Sequence, residues 1–407
     1  MSHSQIEQRG NNEPAQDQDP FTDYDHVGVL CLDPDPLPRL KAMRETCPVG
    51  RSEAHGGSWV LTHYQDIFDV TRDPGTFCSG QGVSFPSHGM PPLPPIETDP
   101  PVHALFRGPL TPRFTVRAMA KNEDHVREVV TELIDGFIET GRADLAQQLT
   151  VPLPALVNTP VLGIPFDDRE KFQNWAMRLL SSGGQDLEAI MSTAAYFSEL
   201  YQTLKADPRD DIPSLVLQVE LDGAPIGPDT FVLVMVMLMS AGLDTTTNAG
   251  SHILYWLGQH PARRQELVDD PSRIPLAVEE LLRHITPLPT LFRTATTTTT
   301  VHGQEIPEGD RVQLSWMAAN HDPEEFDDPE TIRFDRLPNR HFSFGVGAHR
   351  CLGAALARLE LRVLLEETLP RLKDYQIVAE PTRYSGVTRG IHNLHVTFSP
   401  GARLGAR

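Results

Sequence analysis

The segment PDTFVLVMVMLMSAGLDTTTNAGSHILYWLGQHP, residues 228–261, limits what this chain can fold into more than any other stretch. Pro228 near a first turn and Pro261 at the far end bound a helix of about 30 residues, roughly 50 Å long. The segment is apolar on nearly every side, and such a helix needs a large domain wrapped around it. Its unbroken apolar run, Phe231 to Met239, falls far short of the roughly 20 residues that span a bilayer, so the helix reads as interior and no segment as a membrane span. The whole chain has 407 residues, 39% hydrophobic and 22% charged, the composition of a soluble globular protein. That length is two to three times the ~150-residue modal domain, and the central helix favours one large fold over several small ones.

The net charge of −20 argues against binding nucleic acid or an anionic membrane through the overall field. Residues 1–22 are polar and without hydrophobic periodicity, and read as a disordered or loosely docked tail before a single domain over 23–407. The tail has no signal-peptide pattern, which predicts a cytoplasmic protein. Cys31, Cys47, Cys78 and Cys351 are too scattered for a disulfide framework or a zinc site built from paired cysteines.

The expected class is mainly α with small β-sheets. WVLTHY (59–64) reads as a strand, and the Pro- and Gly-rich stretch 79–101, with apolar Val83, Phe85, Met90, Leu93 and Ile96, as a packed lid. Apolar spacing predicts a helix over Glu123–Gly141 within a mostly helical region from 102 to 206. A helix around 273–285, a Thr-rich β segment at 294–315, an Asp/Pro-rich meander at 320–340 and a final helix from Leu352 complete the pattern.

Cys351 stands apart. It lies in Phe344-Gly345-Val346-Gly347-Ala348-His349-Arg350-Cys351-Leu352-Gly353, just before a helix, where backbone amides can donate to sulfur. A helix N-terminus with Arg350 and His349 nearby should lower the thiol pKa. Elsewhere, Glu280 and Arg283 are three apart on one helical face and so able to pair. Asp244 is an expensive group in the middle of the apolar helix and needs a partner or a solvent channel. Gly242 is placed to let that helix open locally and leave a carbonyl unpaired.

The stretch around Cys351 resembles the haem-binding loop of the cytochrome P450 family: Phe, two residues, Gly, one residue, His or Arg, one residue, Cys, one residue, Gly. The resemblance extends from about residue 30 to 400. It implies a single domain around a buried haem b, with Cys351 as the proximal thiolate ligand and Phe344, Gly353 and Ala241 beside the cofactor. It makes Glu280, Arg283 and Arg336 a buried structural network fixing the cysteine loop. It assigns Asp244 to proton relay and Thr245 to the hydrogen bond at the oxygen-activation site. His103, Arg107, Arg293 and His349 match propionate-binding positions, although Val102 stands where the family commonly has an acid.

By the same resemblance Val83, Phe85, Met90, Met237, Ser240, Ala241, Leu288, Thr290, Leu291 and Ile391 line the distal pocket. Nearly all are apolar, which suits a hydrophobic terpenoid, steroid, lipid or aromatic substrate. The implied activity is a monooxygenase that hydroxylates or epoxidises, with O2 as co-substrate and electrons from NAD(P)H through a separate ferredoxin and its reductase. Six arginines between 333 and 362, against only Asp335 and Glu360, predict a basic face for that ferredoxin on a monomeric enzyme. A non-catalytic haem sensor and a peroxide-driven haem enzyme are the alternatives, and the intact Asp244–Thr245 pair speaks against both.

Overall fold

The computed structural model of the chain describes residues 19–86, 91–168, 170–172, 174–175, 178, 186–385 and 387–405. Its helices are α1 (Leu37–Thr46), α2 (Tyr64–Arg72), α3 (Val102–Leu110), α4 (Val116–Met119), α5 (Glu123–Asp135), α6 (Pro152–Val161), α7 (Leu187–Ala206), α8 (Ile212–Leu217), α9 (Pro228–Gln259), α10 (Pro261–Asp269), α11 (Ile274–Ile285), α12 (Trp316–Asn320) and α13 (Ala354–Arg371). A five-stranded sheet runs in the order β1 (Val49–Ser52), β2 (Ser58–Leu61), β10 (Arg311–Ser315), β7 (Thr290–Ala295), β3 (Phe77–Cys78), with only the β2–β10 pair parallel. The smaller sheets are the hairpins β5–β6 (Glu220–Leu221, Ala224–Pro225), β8–β9 (Thr299–Val301, Gln304–Ile306) and β12–β13 (Arg383–Ser385, Arg389–Ile391), and a trio of β4 (Arg142–Asp144), β11 (Gln376–Ile377) and β14 (His395–Thr397).

The long helix α9 is the axis of the molecule. Its length of 32 residues and mean hydropathy of 1.5 over 18 residues would allow it to cross a membrane. Here it instead carries α6, α7, α11 and α13 packed around it, and its interior positions include polar Asn248, Ser251 and His252. Two apolar clusters meet along it. One joins Phe231–Leu243 to α3, α7 and α8, and the other joins Ala249–Leu257 to α5, α11 and α13. Within the first of these stretches Ala241 is exposed in the middle of the long helix, which marks an opening against α9.

Three elements differ from the sequence expectation. The helix from Glu123 stops at Asp135, where Gly136 weakens it, and a single 3₁₀ turn continues to Thr140. The strand at 59–64 ends at Leu61, because the buried Asp322 carboxylate accepts from the Tyr64 amide (2.7 Å) and so caps α2 from a distant part of the chain. Phe21 is buried with Tyr24, so the chain is docked from within the segment read as tail; residues 1–18 lie outside the described residues.

Candidate functional site

Cys351 sits three residues before α13, at the end of a loop whose shape is set by backbone bonds: Gly345 N donates to the Phe342 carbonyl and Cys351 N to the Phe344 carbonyl, each at 2.8 Å. Gly347 has φ +74°, and a side chain there would come within 2.9 Å of the Thr71 carbonyl of α2, so only glycine fits. The loop is pinned from behind by Asn320, which sequence reasoning missed. Its Oδ1 accepts from Phe342 N (2.6 Å), its Nδ2 donates to Ser343 Oγ (3.1 Å), and its carbonyl accepts from Arg283 Nη1 (2.7 Å).

Arg283 belongs to the expected network, and all three members meet. Arg283 Nε and Nη2 donate to Glu280 at 2.9 Å, and Arg336 Nε donates to the same carboxylate at 3.0 and 3.1 Å. These bonds hold the Glu280 carboxyl below its usual range against the opposing effect of burial. The remaining guanidinium protons go to the carbonyls of Asp327, Asp328, Pro329 and Thr331, so the pair of arginines also folds the meander.

Cys351 is exposed, yet the protein around it is dense enough that desolvation dominates its titration and pushes the thiol up, as on the floor of a cleft. The Gly353 amide, Arg107, Arg358 and Arg350 pull the other way. The sequence expectation of a lowered thiol pKa is therefore corrected. Burial outweighs the cations, and His349 is not among the groups that favour the thiolate. Leu352 packs against the cluster containing Phe106, Met239 and Leu243, which brings the cysteine loop to α9.

Beside this loop the structure gathers the four basic residues. His103 and His349 meet at a tilt of 57° with ring centroids 4.3 Å apart, and His349 Nε2 lies 3.2 Å from Ser79 Oγ. Arg107 Nη2 donates to the Arg350 carbonyl next to the cysteine. Among the described residues the guanidinium of Arg293, 3% exposed, donates only to the Phe292 carbonyl, at 2.8 Å. Burial and then mutual repulsion hold His349 down to about 3, and burial holds Arg293 down to about 10. Among the described residues Asp99 is the one carboxylate acting on this group, and it is committed to the Ser79 and Gly80 amides (2.7 and 2.8 Å), while His103 Nε2 is buried without a hydrogen-bond partner. A cluster of buried donors short of an anion, next to a thiol, fits a macrocycle that carries two carboxylates and a thiolate-binding metal, which is what haem is.

On α9, Asp244 and Thr245 part company. Thr245 Oγ1 donates to the Ala241 carbonyl (2.9 Å). Asp244 turns to the β12–β13 hairpin instead: Tyr384 OH and Asn248 Nδ2 donate to its Oδ1 at 2.9 Å each, and Thr388 Oγ1 donates to its Oδ2. The acid thus has neutral partners, and burial holds its carboxyl above the usual range despite them. Asn248 could have been found from its four-residue spacing; Tyr384 and Thr388, some 140 positions away, could not. The expected opening at Gly242 is corrected, since α9 is continuous there. Gly242 instead makes room for α6, because a side chain would come within 2.8 Å of Asn158 Nδ2. Replacing Asp244 by Ala should cost about 1–3 kcal/mol by stripping three buried donors of their acceptor, whereas Asp244→Asn should lose less; chemical denaturation measures both.

Of the residues expected to line the pocket, Phe85, Met237, Ser240, Leu288 and Leu291 are half-buried and Ala241 is exposed, so they border accessible space. Ile391 is 1% exposed within the core, Val83 is buried with its carbonyl accepting from Phe292 N, and the Thr290 hydroxyl is spent on the Leu314 carbonyl (2.9 Å), so these three do not face the opening. Met90 lies outside the described residues. The described part of the lid is held in place by means the sequence did not show. Arg311 donates to the carbonyls of Gln81, Gly82 and Ser84, and Glu97 accepts from the amides of Val83 and Leu93.

The basic face is mostly neutralised by acids from elsewhere in the chain. Arg336 meets Glu280, Arg340 meets Glu325, Arg358 meets Glu279 and Arg362 meets Glu123 and Glu366, while Arg333 lies 3.6 Å from Asp335. Glu360 is in the interior. Among the described residues only Arg350 of the six lacks an ion pair, so the charge count over 333–362 overstated the face.

Residues 113–383 match the family described as Cytochrome P450. The steroid C26-monooxygenase of Mycolicibacterium smegmatis is 32% identical over 372 residues, covering 88% of this chain and 92% of the relative. The cyclomarin C epoxidase CymV of Salinispora arenicola is 34% identical over 376 residues, covering 88% and 95%. Among solved structures, the hydroxylase HmtN of himastatin biosynthesis superposes with a TM-score of 0.81 at 29% identity, covering 88% of this chain and 96% of that one. With its residues gathered as described and these relatives matched over nearly their whole length, the chain belongs to the cytochrome P450 family and is a haem monooxygenase.

Proposed function

We propose that the enzyme hydroxylates or epoxidises a hydrophobic small organic molecule in the cytoplasm, with O2 as co-substrate and electrons drawn from NAD(P)H through a separate ferredoxin and reductase. The observation that carries this is an exposed Cys351 beside the buried, anion-poor His103–His349–Arg293 group, with apolar Met237, Ala241, Leu288 and Leu291 each left partly or wholly open to solvent. Cys351 would hold haem b through its sulfur, with Phe344 and Gly353 shaping the loop beneath it. Arg293, His349 and His103 would hold the propionates, and Arg107 would steady the loop through the Arg350 carbonyl. Haem, when bound, supplies the redox chemistry that activates O2. Thr245, anchored on the Ala241 carbonyl, orients a hydroxyl beside the small residues of α9. Asp244, whose carboxyl burial holds above its usual range, can exchange a proton with the cofactor side only by leaving Tyr384 and Thr388. The relative named for a steroid supports a hydrophobic substrate, and the one named as an epoxidase supports epoxidation beside hydroxylation.

A titration of the ferric protein with terpenoids, steroids, fatty acids and aromatic acids tests this directly. A saturable shift of the Soret band toward high spin for one class identifies the scaffold; no shift in haem-loaded protein refutes a freely diffusing substrate of these kinds. Thr245→Ala should keep haem and substrate binding yet send most reducing equivalents to hydrogen peroxide, and unchanged coupling of NAD(P)H to product would refute its role. Because five of the six arginines are paired, the rate of reduction by ferredoxin should fall only gently as salt rises. Product formed from peroxide alone, with none from O2 and the reducing system, would favour the peroxide-driven alternative.

A further inference from the structure

Away from the cleft, two imidazoles and a carboxylate converge where α2, the β8–β9 turn and the meander meet. His63 immediately precedes α2, Asp66 lies in its first turn, and His302 occupies the turn between β8 and β9. Asp66 Oδ2 is 3.1 Å from His302 Nδ1 and 3.9 Å from His63 Nδ1, and the three atoms all lie within 4.8 Å of one another. Asp66 Oδ2 is shut off from solvent and accepts no hydrogen bond of good geometry from either ring.

The surroundings of the other His63 nitrogen favour ligation through Nδ1. Its Nε2 lies 3.2 Å from Glu324 Oε2 and 3.7 Å from Asp322 Oδ2, so two carboxylates attract the ring proton to that side and leave Nδ1, on the side of Asp66 and His302, as the ligating nitrogen. An imidazole with a carboxylate beside one nitrogen and the other turned to the metal is the arrangement that orients metal-bound histidines. The charges agree. Asp66, Asp322 and Glu324 face one another across His63, and the guanidinium opposing them, Arg44, is 4.0 Å from Asp322. The second triad of this kind, Asp25, His26 and His55, is already satisfied, since Asp25 Oδ1 accepts from Val27 N and meets His55 Nε2 at 2.9 Å.

Two imidazole nitrogens with one carboxylate oxygen suit zinc, whose bonds of about 2.0–2.2 Å place tetrahedral ligand atoms about 3.3 Å apart, between the two contacts seen here. We propose that His63 Nδ1, Asp66 Oδ2 and His302 Nδ1 bind a zinc-class divalent cation, with water completing the shell, and that this cation staples α2 to the β8–β9 hairpin. The staple would brace the loop beneath the haem, because α2 also carries Tyr64, stacked 4.4 Å from Phe342, and Thr71, whose carbonyl approaches Gly347.

The test uses untagged, haem-loaded, full-length protein stripped with chelator and titrated with Zn2+ against a chromophoric competitor. One equivalent should bind, with thermal unfolding moving to higher temperature. His302→Ala, in an exposed turn, and Asp66→Asn should each weaken binding at least tenfold with an unchanged Soret spectrum, while His55→Ala should leave it intact. No measurable binding by the wild-type chain, or binding that His302→Ala leaves unaltered, would overturn the proposal.

Discussion

Glu280→Ala is expected to abolish accumulation of folded, haem-loaded protein. Glu280 is fully buried and accepts from Arg283, Arg336, the Arg333 amide and Asn339 Nδ2. Removing the carboxylate leaves two guanidiniums in the interior with only carbonyls for partners. Breaking a buried pair from one side costs about 3–5 kcal/mol, and here one acid serves two arginines. A native domain has only about 5–15 kcal/mol in hand, so the variant should unfold at or below working temperature. Glu280→Gln, which keeps the shape and one acceptor, should fall between. Haem content per chain and thermal unfolding read the effect; a variant as stable as the wild type would show the network to be dispensable. The sign with pH follows from the lowered carboxyl: its contribution is present above the ordinary carboxylate range and is lost as pH falls through its folded value.

The second large effect has the opposite sign. Glu360 lies on α13 among Leu356, Leu359, Val363 and Leu364, 1% exposed, with Oε2 unpartnered and neither oxygen bonded to any described residue. Burial alone pushes its carboxyl from 4.5 up to about 8. A folded-state value above the unfolded one means that stability is fully present below about 4.5 and drains away as pH rises toward 8. At 1.36 kcal/mol per unit of displacement, the loss at alkaline pH reaches about 5 kcal/mol as an upper bound. Glu360→Gln, and more so Glu360→Met, should therefore raise stability by about 2–4 kcal/mol near pH 8 and change little near pH 5. Stability curves for mutant and wild type that run parallel across that range would refute the assignment.

Local features of the sequence foretold the parts that local chemistry controls. The bounding prolines and apolar surface marked α9, and Gly345, Gly347 and the residues around Cys351 marked the loop. What stayed hidden involved partners far apart in the chain. Asp244 is anchored by Tyr384 and Thr388, the cysteine loop by Asn320, and the lid by Arg311, each through a bond between side chains or carbonyls that no periodicity records. The charge estimate over 333–362 failed for the same reason, since Glu123, Glu279, Glu280 and Glu325 come from outside that window. Glu360 reads in sequence as one more helix-surface acid, because α13 has buried residues on most of its sides.

The bond between Asp244 and the β12–β13 hairpin bears on how this enzyme could be redesigned. That hairpin is tied to α9 at the residue next to Thr245, and an engineer widening substrate scope would randomise it early. Substitutions at Tyr384 or Thr388 would loosen the carboxyl on α9, so selectivity and oxygen economy would change together. Libraries that hold those two positions fixed should yield altered product profiles with less wasted reductant than libraries that vary them.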